Sequence, residues 1–276
     1  MDLYFINLKE QTMKQNTFTK FGVTLFASLV LAACGSSGGG DDNNNTSTST
    51  STSTATQPEK PSTNTQPTSP TTSTQSTTGK ALVIEAETAK VTPKPLDTTN
   101  LSEIEVDGVK LTISRPGIYS GGWSLLNIGS TDTQMCCGRY ESVKIGYQSE
   151  VGKNGYVFYN GVPTAANEIP TTGTATYTGD SLYLSQLEIA EEDTYRGNAN
   201  LVANFADKTL TGKLTNEIAE VNLDAKINQN SFTGSATSNI EKTTAEVEGK
   251  FYGKNAQEIG GMATSEDWIA VFAGKK

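Results

Sequence analysis

From Lys80 to Lys276 apolar residues recur at every second position in short runs, and Gly, Asn or Asp breaks each run. Period-two alternation puts successive side chains on opposite faces of an extended strand, whereas an amphipathic helix needs a period near 3.6. No window sustains the helical period, so the segment reads as antiparallel all-β. Gly197, Ala199, Leu201, Ala203 and Phe205 make one such face, and Leu210, Gly212 and Leu214 follow across Asp207-Lys208. Val221, Leu223, Ala225 and Ile227 come next, turn at Asn228–Asn230 into Phe232, Gly234 and Ala236, and lead on to Val247, Gly249 and Phe251. Three of these strands share an apolar-x-Gly-x-apolar centre: Leu210–Leu214, Phe232–Ala236 and Val247–Phe251. Glycine weakens a strand and is kept where the sheet bends or a neighbour packs close, and a small closed barrel needs such points. Successive hairpins with inward glycines predict an antiparallel up-and-down barrel of about eight strands over 151–276. A two-sheet sandwich is the competing reading.

Residues 80–150 hold further strands in less regular order. Ile104 and Val106 face Val109, Leu111 and Ile113 across Asp107-Gly108, a two-residue hairpin turn. Trp123 to Ile128 and Tyr140 to Tyr147 also read as strands.

The first 79 residues belong to neither pattern. Lys14 and Lys20 precede an apolar run from Phe21 to Leu31, then Ala32-Ala33-Cys34 and a Gly/Ser tract. That order is a secretory signal, and a cysteine directly after the small residues makes it a lipoprotein signal with Cys34 as the acylated residue. The run of about 11 residues is too short for a bilayer core that needs roughly 20. Residues 1–12 have no place in a signal peptide, which makes Met13 the expected start. Gly35, in place of an aspartate, favours outer-membrane sorting of the 1–34 precursor segment's product. Residues 35–79 are Ser, Thr, Asn, Gly and Pro with almost nothing apolar to bury, so they read as a disordered tether. About 45 flexible residues reach roughly 35–40 Å.

The formal net charge is −9, and removing Lys9, Lys14 and Lys20 with Asp2 and Glu10 makes it one unit more negative. Such a surface argues against nucleic acid as a partner. The chain has no histidine. That excludes Ser-His-Asp hydrolysis, histidine acid-base work and the usual zinc and haem ligation. Paired-carboxylate chemistry stays formally open, but no pair stands out. The chain reads as a non-catalytic binding protein with no cofactor, and haem would have to be ligated by Tyr or Met.

Cys136 and Cys137 are the thiols left once Cys34 is acylated. A bond between adjacent cysteines closes an eight-membered ring, and Gly138 beside it suits a tight turn; a free dithiol or a link to another chain are the alternatives. Tyr119, Trp123, Met135 and Tyr140 surround the pair, and exposed Tyr, Trp and Met are enriched at binding surfaces. The functional reading makes Gly129–Gly138 a rigid loop that contacts a partner. The structural alternative puts Trp123 and Tyr140 in the core.

Phe251-Tyr252-Gly253-Lys254-Asn255-Ala256-Gln257-Glu258-Ile259-Gly260-Gly261 joins a strand, a helical turn with Asn255 as its expected cap, and a Gly-Gly entry to the next strand. It resembles the C-terminal barrel of the transferrin-binding protein B and factor H binding protein family. The closing strand Trp268–Phe272 and the opening strand Gly173–Gly179 agree. The resemblance implies a Gram-negative surface lipoprotein with an N-terminal β "handle" beside the barrel; the change in strand pattern puts the boundary between them at about 150. It also implies capture of a host protein: transferrin, haemoglobin or factor H, with handover of an iron or haem cargo to an outer-membrane transporter. Immune evasion through factor H, or a purely structural lipoprotein, are the alternatives. The room for one lobe weakens transferrin, and three scattered arginines (Arg115, Arg139, Arg196) weaken heparin.

Overall fold

The computed structural model describes residues 77–115, 117, 121–186 and 194–276. The signal segment, Cys34, residues 35–76 of the expected tether and Tyr119 lie outside the described residues. Gly79, expected to end the tether, already opens the first strand because its backbone pairs with Leu96 and Asn160.

The described chain is all-β apart from two short 310 turns. Strands β1 (Gly79–Ile84), β2 (Val91–Leu96), β5 (Ser124–Ile128), β6 (Thr131–Cys136), β7 (Val143–Glu150) and β8 (Gly155–Gly161) form one antiparallel sheet in the order β2-β1-β8-β7-β6-β5. A separate hairpin, β3 (Glu103–Val106) and β4 (Val109–Thr112), covers one face of it. The hairpin turns at Asp107 (φ 50°) and Gly108 (φ 80°), the pair of left-handed residues that a type I′ turn requires. Its Ile104, Val106 and Leu111 pack with Ala81, Val83 and Phe158 in a small buried cluster.

This handle does not stop at residue 150. β8 is buried along its whole length between β1 and β7, so the sheet runs on to Gly161. The near-continuous apolar run Tyr156–Tyr159 is what a strand covered on both faces looks like.

The second body is a closed antiparallel barrel of eight strands: β9 (Thr174–Ser185), β10 (Tyr195–Asn204), β11 (Thr209–Thr215), β12 (Glu220–Asn228), β13 (Ser231–Ser238), β14 (Thr244–Tyr252), β15 (Glu258–Thr264) and β16 (Trp268–Lys275). β16 pairs with β9 to complete the circle, which settles barrel against sandwich. The alternating residues fill the interior. Phe251 sits among Tyr177, Phe205 and Phe232 at ring separations of 6.0, 5.6 and 5.8 Å, and Trp268 stacks on Tyr183 at 5.6 Å. Two buried polar tips are satisfied: Tyr177 Oη donates to the Ala256 carbonyl and Trp268 Nε1 to the Thr243 carbonyl.

Of the three strand-centre glycines, Gly249 alone is buried; Gly212 is half-buried and Gly234 exposed. A methyl group at Gly249 would overlap the Phe232 ring, so close packing there requires the absence of a side chain. Asn255 is not a cap. It lies inside the 310 turn Lys254–Ala256 at φ 55°, and Gly253 at φ 70° occupies the cap position.

Candidate binding surface

The handle packs on the outside of the barrel, and the predicted site residues fall mostly into that seam. Leu82, Ile145, Val157 and Tyr159 of the handle form one buried cluster with Leu182, Tyr252, Met262 and Val271 of the barrel. Polar groups pin the two bodies. Glu258 is 2% exposed, and its carboxylate accepts the backbone N–H groups of Glu141 (2.8 Å), Ser142 (2.8 Å) and Val143 (3.1 Å). Tyr252 Oη donates to the Thr78 carbonyl at 2.9 Å, where the chain enters the handle. Asp180 accepts from Tyr140 Oη at 2.6 Å and pairs with Arg139, whose guanidinium lies over the Tyr140 ring.

This network corrects the sequence expectation for the aromatic stretch. Met135 and Tyr140 are 3% and 1% exposed, so neither can contact a partner. Tyr140 is held inward because its ring completes the seam and its hydroxyl has Asp180 to bond. A methyl at Gly179 would overlap that hydroxyl, so the barrel wall is shaped to admit it. Burial, with the Asp180 charge beside it, pushes the Tyr140 hydroxyl far above the ordinary phenol range. Trp123 is half-buried against the same cluster, with no partner for its Nε1 among the described residues. The stretch Gly129–Gly138 is not a loop either. Gly129-Ser130 is a two-residue turn, and Thr131–Cys136 is β6, paired on both sides.

Cys136 and Cys137 are joined and buried at the end of β6, with Cys137 Sγ 3.3 Å from Asp180. Lys144 Nζ donates to the carbonyls of Cys137 and Tyr140, and burial pulls its ammonium below the usual lysine range against the opposing charges of Glu258 and Glu141. Among the described residues Cys136, Cys137 and Asp180 are the one group with three metal-type ligand atoms close together. The two sulfurs bond each other and the carboxylate is occupied by Tyr140 and Arg139, so the set serves the seam.

Among the described residues, haem ligation through Tyr or Met does not fit. Tyr140, Tyr147, Tyr156, Tyr159, Tyr177, Tyr183, Tyr195, Tyr252, Met135 and Met262 are all buried, most of them in the two main cores. What remains open to a partner is surface. A groove of about 790 Å³ runs between β1–β2 and the barrel, lined by Lys80, Leu82, Val91, Pro93, Glu246 and Glu248. Its Lys80 pairs with Glu248, which also accepts from Tyr159 Oη at 3.0 Å. The handle tips are the second open region. Register puts Ile128 and Val151 at the end of the sheet opposite Thr78, and they are 63% and 59% exposed. Exposure of that kind cannot be read from alternation, because both residues sit at strand ends.

Residues 169–276 match the family described as C-lobe and N-lobe beta barrels of Tf-binding protein B. The chain is 37% identical to an uncharacterized protein of Haemophilus influenzae over 286 residues, which cover 94% of this chain and 98% of that protein. It is 34% identical to transferrin-binding protein B of Haemophilus influenzae over 165 residues, 48% of this chain but only 26% of that protein. The crystal structure of transferrin-binding protein B from serogroup B Neisseria meningitidis shares the fold, with a TM-score of 0.57 at 22% identity, over 72% of this chain and 44% of that one. The chain therefore has a transferrin-binding protein B-like fold, a single lobe whose C-terminal barrel matches that family.

Proposed function

We propose that the chain is a non-catalytic lipoprotein of the outer membrane that captures a host iron- or haem-carrying protein at the cell surface for uptake. The observation that carries this reading is the 34% identity to transferrin-binding protein B, over a stretch about half the length of this chain. The lipoprotein signal ending at Cys34 and the tether of residues 35–79 support display at a membrane surface. Burial of every described tyrosine and methionine favours a protein ligand over free haem. The filled barrel leaves recognition to the outer surfaces, where the handle tips point away from the end at which the tether arrives. Handover to an outer-membrane transporter follows from the same reading.

The test is retention of human transferrin, haemoglobin and factor H, each offered separately to the immobilised mature protein. Saturable retention of transferrin or haemoglobin is the expected result. Retention of factor H alone would replace nutrient capture by immune evasion, and retention of none would overturn the reading.

A further inference from the structure

The handle sheet is open, so it has two edges, and the chain treats them differently. On β2, the Lys90 carbonyl accepts from Glu85 N–H and the Leu96 carbonyl from Thr78 N–H. Alternation then turns Thr92 and Lys94 toward β1, and Val91, Pro93 and Pro95 toward the outside. Two of the three outward positions are prolines, which have no N–H, so that edge cannot accept another strand.

On β5 the parity is set by the Gly129-Ser130 turn. Ile128 and Thr131 flank it and bond each other, and Val151 N–H donates to the Ser130 carbonyl on the far side of β6. Leu126 and Ser124 therefore bond β6, while Leu125 and Asn127 direct their N–H and C=O groups to the free edge. β5 contains no proline and no charged residue, and Leu125 is 52% exposed. Natural edges are blunted by proline, lysine or a bulge. Here one edge is blocked, while among the described residues nothing pairs with the other, which carries apolar side chains.

We propose that β5 is a docking edge, which takes up an extended segment of a partner protein, flanked by lysine or arginine, as a seventh strand of the handle sheet. Alternating outward N–H and C=O groups are matched by another extended backbone. Five residues span roughly 17 Å, enough for a segment of similar length. Charge selects the occupant. β5 and β6 carry one charge between them, Asp132, which lies opposite Asn127, and the chain has a formal net charge of −9. A second copy would bring like charges together, whereas basic flanks complement them. The inference rests on the handle's backbone geometry and is independent of whether the captured protein carries iron.

The probe is a dye-labelled peptide of alternating Val and Thr with two lysines at each end, titrated into the intact chain by fluorescence anisotropy. Saturable binding is expected, with the Leu125 and Asn127 amides gaining protection from hydrogen exchange. Affinity should fall at least tenfold for the same peptide N-methylated at alternate residues, and at least tenfold for Leu125→Pro, which removes an outward N–H and leaves the β6 ladder intact. Asn127→Pro repeats the test at the second outward position, and an unchanged unfolding midpoint shows that each variant is folded. Absence of saturable binding, or equal affinity for the N-methylated peptide, overturns the proposal. So does self-association in sedimentation that Leu125→Pro abolishes, which would make the occupant a second copy.

Discussion

Replacing Glu258 by glutamine tests whether one buried carboxylate holds the handle to the barrel. Glu258 Oε1 accepts from Glu141 N–H, and Oε2 accepts from Ser142 and Val143 N–H. Glutamine is nearly the same size, so packing is preserved. If its single oxygen takes the Oε2 position, two of the three bonds survive without the charge, and the new NH₂ faces the Glu141 N–H. Hydrogen bonds to charged groups contribute about 1.5–3 kcal/mol each, and an orphaned buried donor costs about 1–3 kcal/mol. The expected loss is about 2–4 kcal/mol, a large fraction of a typical total of about 5–15 kcal/mol. With a urea slope of about 2 kcal/mol/M, the midpoint should fall by about 1–2 M. Glu258→Ala removes all three acceptors and should cost more, with a change in slope if the handle and barrel come apart before the barrel unfolds. Exposed Glu246→Gln is the control, expected within about 0.5 kcal/mol of the parent. A Glu258→Gln effect no larger than that control would refute the argument that the seam depends on this carboxylate.

Phe251→Ala removes the ring at the centre of the barrel's aromatic cluster and should destabilise by about 3–5 kcal/mol in the same urea assay. Burial raises the hydroxyls of Tyr140, Tyr159, Tyr177, Tyr183 and Tyr252 above the ordinary value of 10. The unfolded chain then releases these protons first, so their contribution is intact below about pH 10 and is lost as pH rises beyond it. Lys144 and Lys250 are lowered and act in the opposite sense, with their gain complete by about pH 10.5. The tyrosinate absorbance of these five should therefore rise together with loss of circular dichroism, and ionisation of all the tyrosines in a still-folded protein would contradict this. Thiol counting on denatured, unreduced mature protein should find Cys136 and Cys137 unreactive, and two reactive thiols would exclude the bond between them. Cys34→Ser should release the protein from the membrane fraction, and unchanged retention would remove the lipid anchor.

Much of the barrel was legible because a closed sheet repeats one simple rule. Leu210, Leu214, Leu223 and Phe232 alternate with polar neighbours, and all of them are buried. The handle was less legible because its central strand, β8, is covered on both faces and shows no alternation. The aromatic stretch misled for a related reason. Tyr140 and Met135 have the composition of a binding surface, and only the docking of the barrel against the sheet turns them inward. Glu258 gave no sign of its role, since an isolated glutamate at a strand start looks like solvent-facing charge until the loop 141–143, more than a hundred residues away in sequence, closes over it.

The sequence by itself determined the alternating strands of the barrel, the two-residue turn at Asp107-Gly108 and the exclusion of histidine chemistry, because each follows from local spacing or from the absence of a residue type. Closure of the barrel, by contrast, rests on the pairing of its first and last strands. Tertiary structure alone decided which face of each handle strand is covered, which edge of the sheet is open and which polar groups form the seam. Those depend on the packing of one body against another. Period-two alternation separates the two faces of a strand, but it does not say which face a distant part of the chain will cover.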